Sequence, residues 1–148
     1  MIEATIARYQ AVKVTTSNPG DLLVALLDGL FKFLHIAKHN LSIKGGDRAK
    51  AGMAMSRAHA IISEFLTSLA PEHAPELCQN LERVYDFCLT RITFANRHND
   101  PKAIEEVMRV MTPIREAFTI AVKQVAQQGG AEATAAAAQA GPVIRVTP

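Results

Sequence analysis

The side chains with reactive potential are few and spaced poorly for catalysis. His35 and His39 lie four residues apart, so a helix would set both imidazoles on one face, where such a pair can hold a metal ion. Asp28 is the only carboxylate near that face, about two turns before His35, and the two histidines read as plain surface residues. A di-iron bundle needs Glu-x-x-His pairs pointing inward, and the chain has none. Cys78 and Cys88 are ten positions apart, which on one helix is ~15 Å along the axis, too far for a disulfide. Both fall on an apolar face, where a thiol behaves as a small inert hydrophobe. Glu105 and Glu106 are adjacent and diverge on a helix, so they are no acid/base pair. There is no Gly-x-Ser-x-Gly elbow and no phosphate-cradling glycine loop. The expectation is a protein without enzymatic activity, cofactor or metal.

Binding is the remaining class, and the elements that would carry it can be read from periodicity. The 148 residues suit one domain with a proper core. Hydrophobic residues make up 49% and aromatic residues only 5%, so the apolar content is Ala, Leu, Ile, Val and Met, a composition that favours helix. A net charge of +2 with no Lys/Arg cluster argues against nucleic acid. The N-terminus lacks the apolar core of a signal peptide, residues 22–37 are too short and too charged to cross a bilayer, and unpaired cysteines suit a reducing compartment. A cytoplasmic protein without membrane insertion is expected.

Asn18-Pro19-Gly20-Asp21 is a helix start, with Asn18 as N-cap and Pro19 at the first position. The first helix runs to Lys44. Leu23, Leu26, Leu27, Leu30, Leu34 and Ala37 form its core stripe, flanked by Leu22, Ala25, Phe33 and Ile36 on one side and by Val24 and Phe31 on the other. That arc is wider than one packing partner requires. Gly45-Gly46 stops the helix and Asp47 caps a second one, whose face is Ala51, Met55, Ala58, Ile62, Phe65, Leu66 and Leu69 and which Pro71 ends. Pro75 opens the third, with core positions Leu77, Leu81, Val84, Tyr85, Cys88, Leu89, Ile92 and Ala95. Phe87 and Phe94 lie off that face among Arg83, Thr90 and Arg91. Pro101 opens the fourth, with Val107, Val110, Met111, Ile114, Phe118, Ala121, Val122 and Val125 facing inward and a kink expected at Pro113.

The reading is an all-α protein: an antiparallel four-helix bundle over residues 18–128, a short amphipathic N-terminal segment over 1–17 that includes Tyr9, and a disordered tail over 129–148 in which Val143, Ile144 and Val146 form a small apolar strip. Three features exceed what a four-helix core needs: the wide arc of the first helix, the Phe87/Phe94 stripe and the N-terminal segment. Two explanations stay open at this point. Either the N-terminal segment covers the surplus, or a partner does.

Several short motifs, in order and at matching spacing, resemble the FliS family, the flagellin-specific export chaperones of bacterial flagellar secretion. They are Tyr9-Gln10, Asn18-Pro19-Gly20-Asp21-Leu22, Leu27-Asp28-Gly29, Arg57-Ala58 followed by Ile61-Ile62, Asn80-Leu81, Tyr85-Asp86, Arg91, Ala95-Asn96 and Glu106-Val107. Leu27 stands where that family usually has an aromatic residue, and Gly20 where it has an acid. The resemblance implies a bundle that binds the disordered C-terminal segment of flagellin, prevents its premature polymerisation, keeps it exportable and delivers it to the flagellar export apparatus. It also implies that the segment around Tyr9 covers part of the binding surface when no partner is present. Ile61, Asn80, Leu81, Tyr85, Phe87, Arg91 and Phe94 are the candidate peptide-binding residues with Tyr9. Asn18, Pro19, Leu27, Asp28, Gly29, Arg57 and Asn96 are the motif residues expected to fix the helices or supply polar contacts. The alternative is a helical adaptor that homodimerises and takes no unfolded client.

Overall fold

The computed structural model describes residues 19–128, so the expectations for Tyr9, Asn18, the N-terminal segment and the tail lie outside the described residues. Four helices follow one another: α1 (Pro19–Ser42), α2 (Arg48–Thr67), α3 (Pro75–His98) and α4 (Pro101–Gln128). Among the described residues each helix packs on two of the other three. α1 lies against α2 and α4, and α3 lies against the same two, so the cross-section is a square with no diagonal contact. Short links between antiparallel neighbours produce this arrangement.

Local chemistry sets the boundaries. Pro19, Pro75 and Pro101 each open a helix at a position whose N–H has no intrahelical partner to lose. The Asp47 carboxylate accepts a 3.0 Å hydrogen bond from the Lys50 amide and caps α2. The α1–α2 link depends on glycine twice. Gly45 takes φ +79°, and a Cβ on Gly46 would collide with the Asn40 carbonyl. Asn40 also accepts from the Asp47 amide at 3.1 Å, which fixes where the chain re-enters helix. Asn99 adopts φ 54° after α3, and the Asp100 carboxylate accepts from the Lys102 amide at 2.9 Å to start α4.

The core is one cluster drawn from all four helices, and among the described residues it contains no buried charged side chain. All six residues of the expected α1 stripe are in it. The α2 face is broader than its sequence pattern indicated, because Ala54, Ala60 and Ile61 are buried as well. That helix also ends at Thr67, before Pro71, where the Ser68 amide bonds the Glu64 carbonyl at 3.0 Å. On α4, Ala103 and Ile104 join the core, and the helix continues through Pro113, which sits on its exposed side. Leu77 corrects the expected core of α3, being 36% exposed. Helical side chains tilt toward the N-terminus, so a first-turn residue points back past the start of α3 rather than across the bundle.

Candidate functional site

Cations from neighbouring helices lie over both apolar flanks of α1, burying Phe31 on one and leaving Leu22, Ala25, Phe33 and Ile36 half-buried on the other. Phe31 is 5% exposed, and the Arg115 guanidinium of α4 lies 4.7 Å from its ring centroid. The same guanidinium donates to the Asp28 carboxylate at 2.7 Å, which ties the Leu27-Asp28-Gly29 motif to α4. On the other flank the half-buried Phe33 ring has the Arg57 guanidinium of α2 at 5.6 Å. Arg57 and Asp28 therefore hold helices together, with Leu27 and Gly29 buried between them. Asn96 has a similar role at the opposite end. Its side-chain oxygen and its backbone carbonyl accept from the Arg48 Nη2 at 2.8 Å and 2.6 Å, and Arg48 Nε also donates to Asn99.

Among the described residues the outer face of α3 has no such cation from a neighbouring helix. At 100° per residue Asn80, Phe87, Arg91 and Phe94 share an arc of ~60°. Arg91 shows which way that arc faces, since its Nε forms a 2.8 Å ion pair with Glu106 of α4. On α4 the same arithmetic places Val110, Pro113, Ala117 and Ile120 on Glu106's side. The result is a seam between two antiparallel helices with large apolar groups left open along it: Phe87 is 42% exposed, Phe94 38% and Ile120 56%. Phe94 is held in place from within its own helix. Its ring lies 4.3 Å from the His98 ring, and the Arg91 guanidinium is 4.6 Å from its centroid. Arg91 thus orients an exposed ring and links it to α4, while Asn80 stands exposed about two turns before Phe87.

Three of the candidate binding residues are elsewhere. Ile61, Leu81 and Tyr85 are 1%, 6% and 0% exposed, inside the core. They alternate on α2 and α3 with the positions that reach the surface, and the helical period turns them inward to the common core. Their side chains lie beneath the surface of α2 and α3 rather than on the seam. Tyr85 packs on Phe65 with centroids 6.0 Å apart, and its hydroxyl is buried without a hydrogen-bond partner. Desolvation pushes the phenol well above its ordinary range, and Cys88 and Cys78 add to the effect. Burial likewise pushes the Cys88 thiol up to about 12, so it stays protonated and unreactive. The described residues hold no cluster of three or more metal-ligating side chains, and none of the helices is long and apolar enough to cross a membrane.

Sequence reasoning missed Ile120, Glu106 and Arg115 as parts of these surfaces. For Ile120 a signal was present: it is a large apolar residue on the polar side of the α4 pattern, as Phe87 and Phe94 are on α3. Glu106 fell within a motif but, like Arg115, was given no role, because the role of either charge depends on what packs opposite it.

The chain matches the family model described as flagellar protein FliS over residues 1–125. It is 36% identical over 106 residues to the flagellar secretion chaperone FliS of Salmonella typhimurium, an alignment covering 71% of this chain and 77% of that one. It is 29% identical over 122 residues to the flagellar secretion chaperone FliS of Bacillus subtilis, covering 82% and 89%. With the Escherichia coli flagellar secretion chaperone FliS it shares 32% identity over 106 residues, covering 71% and 76%.

Proposed function

The chain belongs to the FliS family of flagellar proteins, and from that premise we propose that it is a flagellar secretion chaperone whose client is the C-terminal segment of flagellin. The observation that carries the choice of surface is the seam between α3 and α4, where, among the described residues, Phe87, Phe94 and Ile120 stand exposed along one side of the bundle. A disordered client loses conformational entropy as it orders, at a cost of ~2–5 kcal/mol, and needs a long apolar surface in return. An amphipathic helix laid along the seam presents its i, i+3, i+4 and i+7 residues to such a strip. Asn80 offers polar contacts at one end, and the Arg91–Glu106 pair sets the position of the aromatic anchor near the other. While bound, the client segment is unavailable for polymerisation, so flagellin stays exportable in the cytoplasm.

The test is a titration of the full chain with a peptide from the C-terminal end of the cognate flagellin, followed by calorimetry and far-ultraviolet circular dichroism. Saturable binding with a gain of helical signal is expected. No heat and no spectral change at tens of micromolar would overturn the reading. A chain that dimerises and ignores the peptide would be a homodimeric adaptor instead.

A further inference from the structure

The end of the bundle where α2 stops and α3 begins is built differently from its middle. Residues 68–74 turn there, and Ala70 and Cys78 form a small buried cluster of their own, flanked by Leu69 and Ala74 and separate from the main core. Small side chains beneath a proline-bearing turn leave a depression of about 650 Å³. Leu66, Leu69, Pro71 and Cys78 line it, with Glu76 and Glu82 among its polar walls. Both carboxylates are exposed, and neither pairs with a cation among the described residues. The surface is therefore an apolar floor with an acidic rim, and it suits a short apolar segment that carries a cation.

Beyond the described residues, the chain itself contains such a segment, Val143-Ile144-Arg145-Val146. Arg145 is the only cation within 129–148, and three branched apolar residues surround it. Because α4 runs antiparallel to α3, the chain leaves the bundle at Gln128, at the same end as the depression. Fourteen residues separate Gln128 from Val143; a chain of that length reaches ~45 Å when fully extended, and a random coil of that length averages ~20 Å. That average is about the breadth of two helices. A tether matched to its span gives an effective concentration in the ~mM range, enough to populate a weak site.

We propose that residues 143–146 dock in this depression of the same chain. Ile144 and its valine neighbours cover the Leu66–Leu69–Cys78 floor, and Arg145 pairs with Glu76 and Glu82. The docked segment closes the satellite cluster at the end of the bundle, away from the aromatic seam.

The experiment uses the full chain. In Ile144→Cys, treated with diamide as oxidant, the introduced thiol should form an intrachain disulfide with Cys78, read by peptide mapping without reductant. Glu76→Lys with Glu82→Lys should slow that bond about 5-fold, the scale of an exposed charge contact. Adding Arg145→Glu should restore it. A bond to Cys88, a bond between copies, or equal rates in all three backgrounds would overturn the proposal. Cys78 is only 3% exposed, so a readout without thiol chemistry accompanies it. In nuclear magnetic resonance spectra of the full chain, Arg145→Glu and Ile144→Asp should each shift the signals of Leu66, Leu69 and Gln79. Spectra in which those signals stay in place would also overturn it.

Discussion

α1 and α3 each carry two phenylalanines outside their core stripe, and the bundle treats them in opposite ways. On α1, Phe31 and Phe33 lie beneath guanidinium groups supplied by other helices, Arg115 from α4 and Arg57 from α2. On α3, Phe94 is contacted by Arg91 and His98 of its own helix, and Phe87 stands 42% exposed. A cation reaching across from a neighbour closes an apolar flank and ties two helices. A cation from the same helix orients the ring and leaves its outer side open. Aromatic content alone therefore does not mark a binding surface. Among the described residues, what separates the two helices is whether the cation over the ring comes from a neighbouring helix or from the same one.

The largest effect should come from the closed flank. Phe31→Ala is expected to destabilise the fold by ~3–5 kcal/mol, as large-to-small changes at buried aromatic positions do. Chemical denaturation measures it. Phe87→Ala and Phe94→Ala should stay within ~0.5 kcal/mol in the same assay, as exposed substitutions do. If the α3 variants unfold as easily as Phe31→Ala, the two faces do not differ in the way described.

The next effect belongs to binding. Phe94→Ala or Phe87→Ala should weaken the flagellin peptide complex about tenfold or more, the loss typical of an aromatic anchor. Calorimetry on the folded variants separates this from stability. Arg91→Ala should have a smaller effect in the same direction, because it frees the Phe94 ring without removing it.

A third expectation concerns the support beneath α3. Tyr85→Phe removes a buried hydroxyl that has no partner, so it should be neutral or stabilise by ~1 kcal/mol. The pH dependence follows from the raised pKa values. Tyr85 and Cys88 release their protons more readily in the unfolded chain, with ordinary values of 10.0 and 9.0, than in the fold. Their contribution to stability is complete below pH 9 and is lost as pH rises above that, first through Cys88 and then through Tyr85. Tyr85→Phe should flatten the upper part of that decline. A wild-type stability that is constant to pH 11 would contradict the burial of both groups.

The smallest effect should be at the Asp28–Arg115 pair, whose side chains are 55% and 39% exposed. Asp28→Asn should cost less than ~1 kcal/mol, and the cost should shrink further as salt is raised. Arg115→Ala should cost more than Asp28→Asn, because it also removes the cation over Phe31. Equal costs would reduce Arg115 to an ion-pair partner.

The bundle was legible in the sequence because its signals are local. Pro19, Pro75 and Pro101 start helices, and Gly45-Gly46 and Asn99 end them, whatever surrounds them. The α1 core stripe from Leu23 to Ala37 follows from helical period alone. The proposed surface was only partly legible. Phe87, Phe94, Asn80 and Arg91 were identified and do share a strip, but Ile61, Leu81 and Tyr85 lie in the core. Their motif positions pointed to a site, and periodicity by itself could not say which of two adjoining arcs faced a neighbour.

By itself the sequence determined four helices, their ends and one inward stripe on each, since backbone hydrogen bonding and side-chain period act over a few residues. The tertiary structure decided that α3 meets only α2 and α4, and so which of its sides stays open. It also brought Arg115 over Phe31, exposed Leu77 at the rim and left an acid-rimmed depression above Cys78. Those outcomes depend on residues far apart in the chain, and contact across helices becomes defined only when the helices pack.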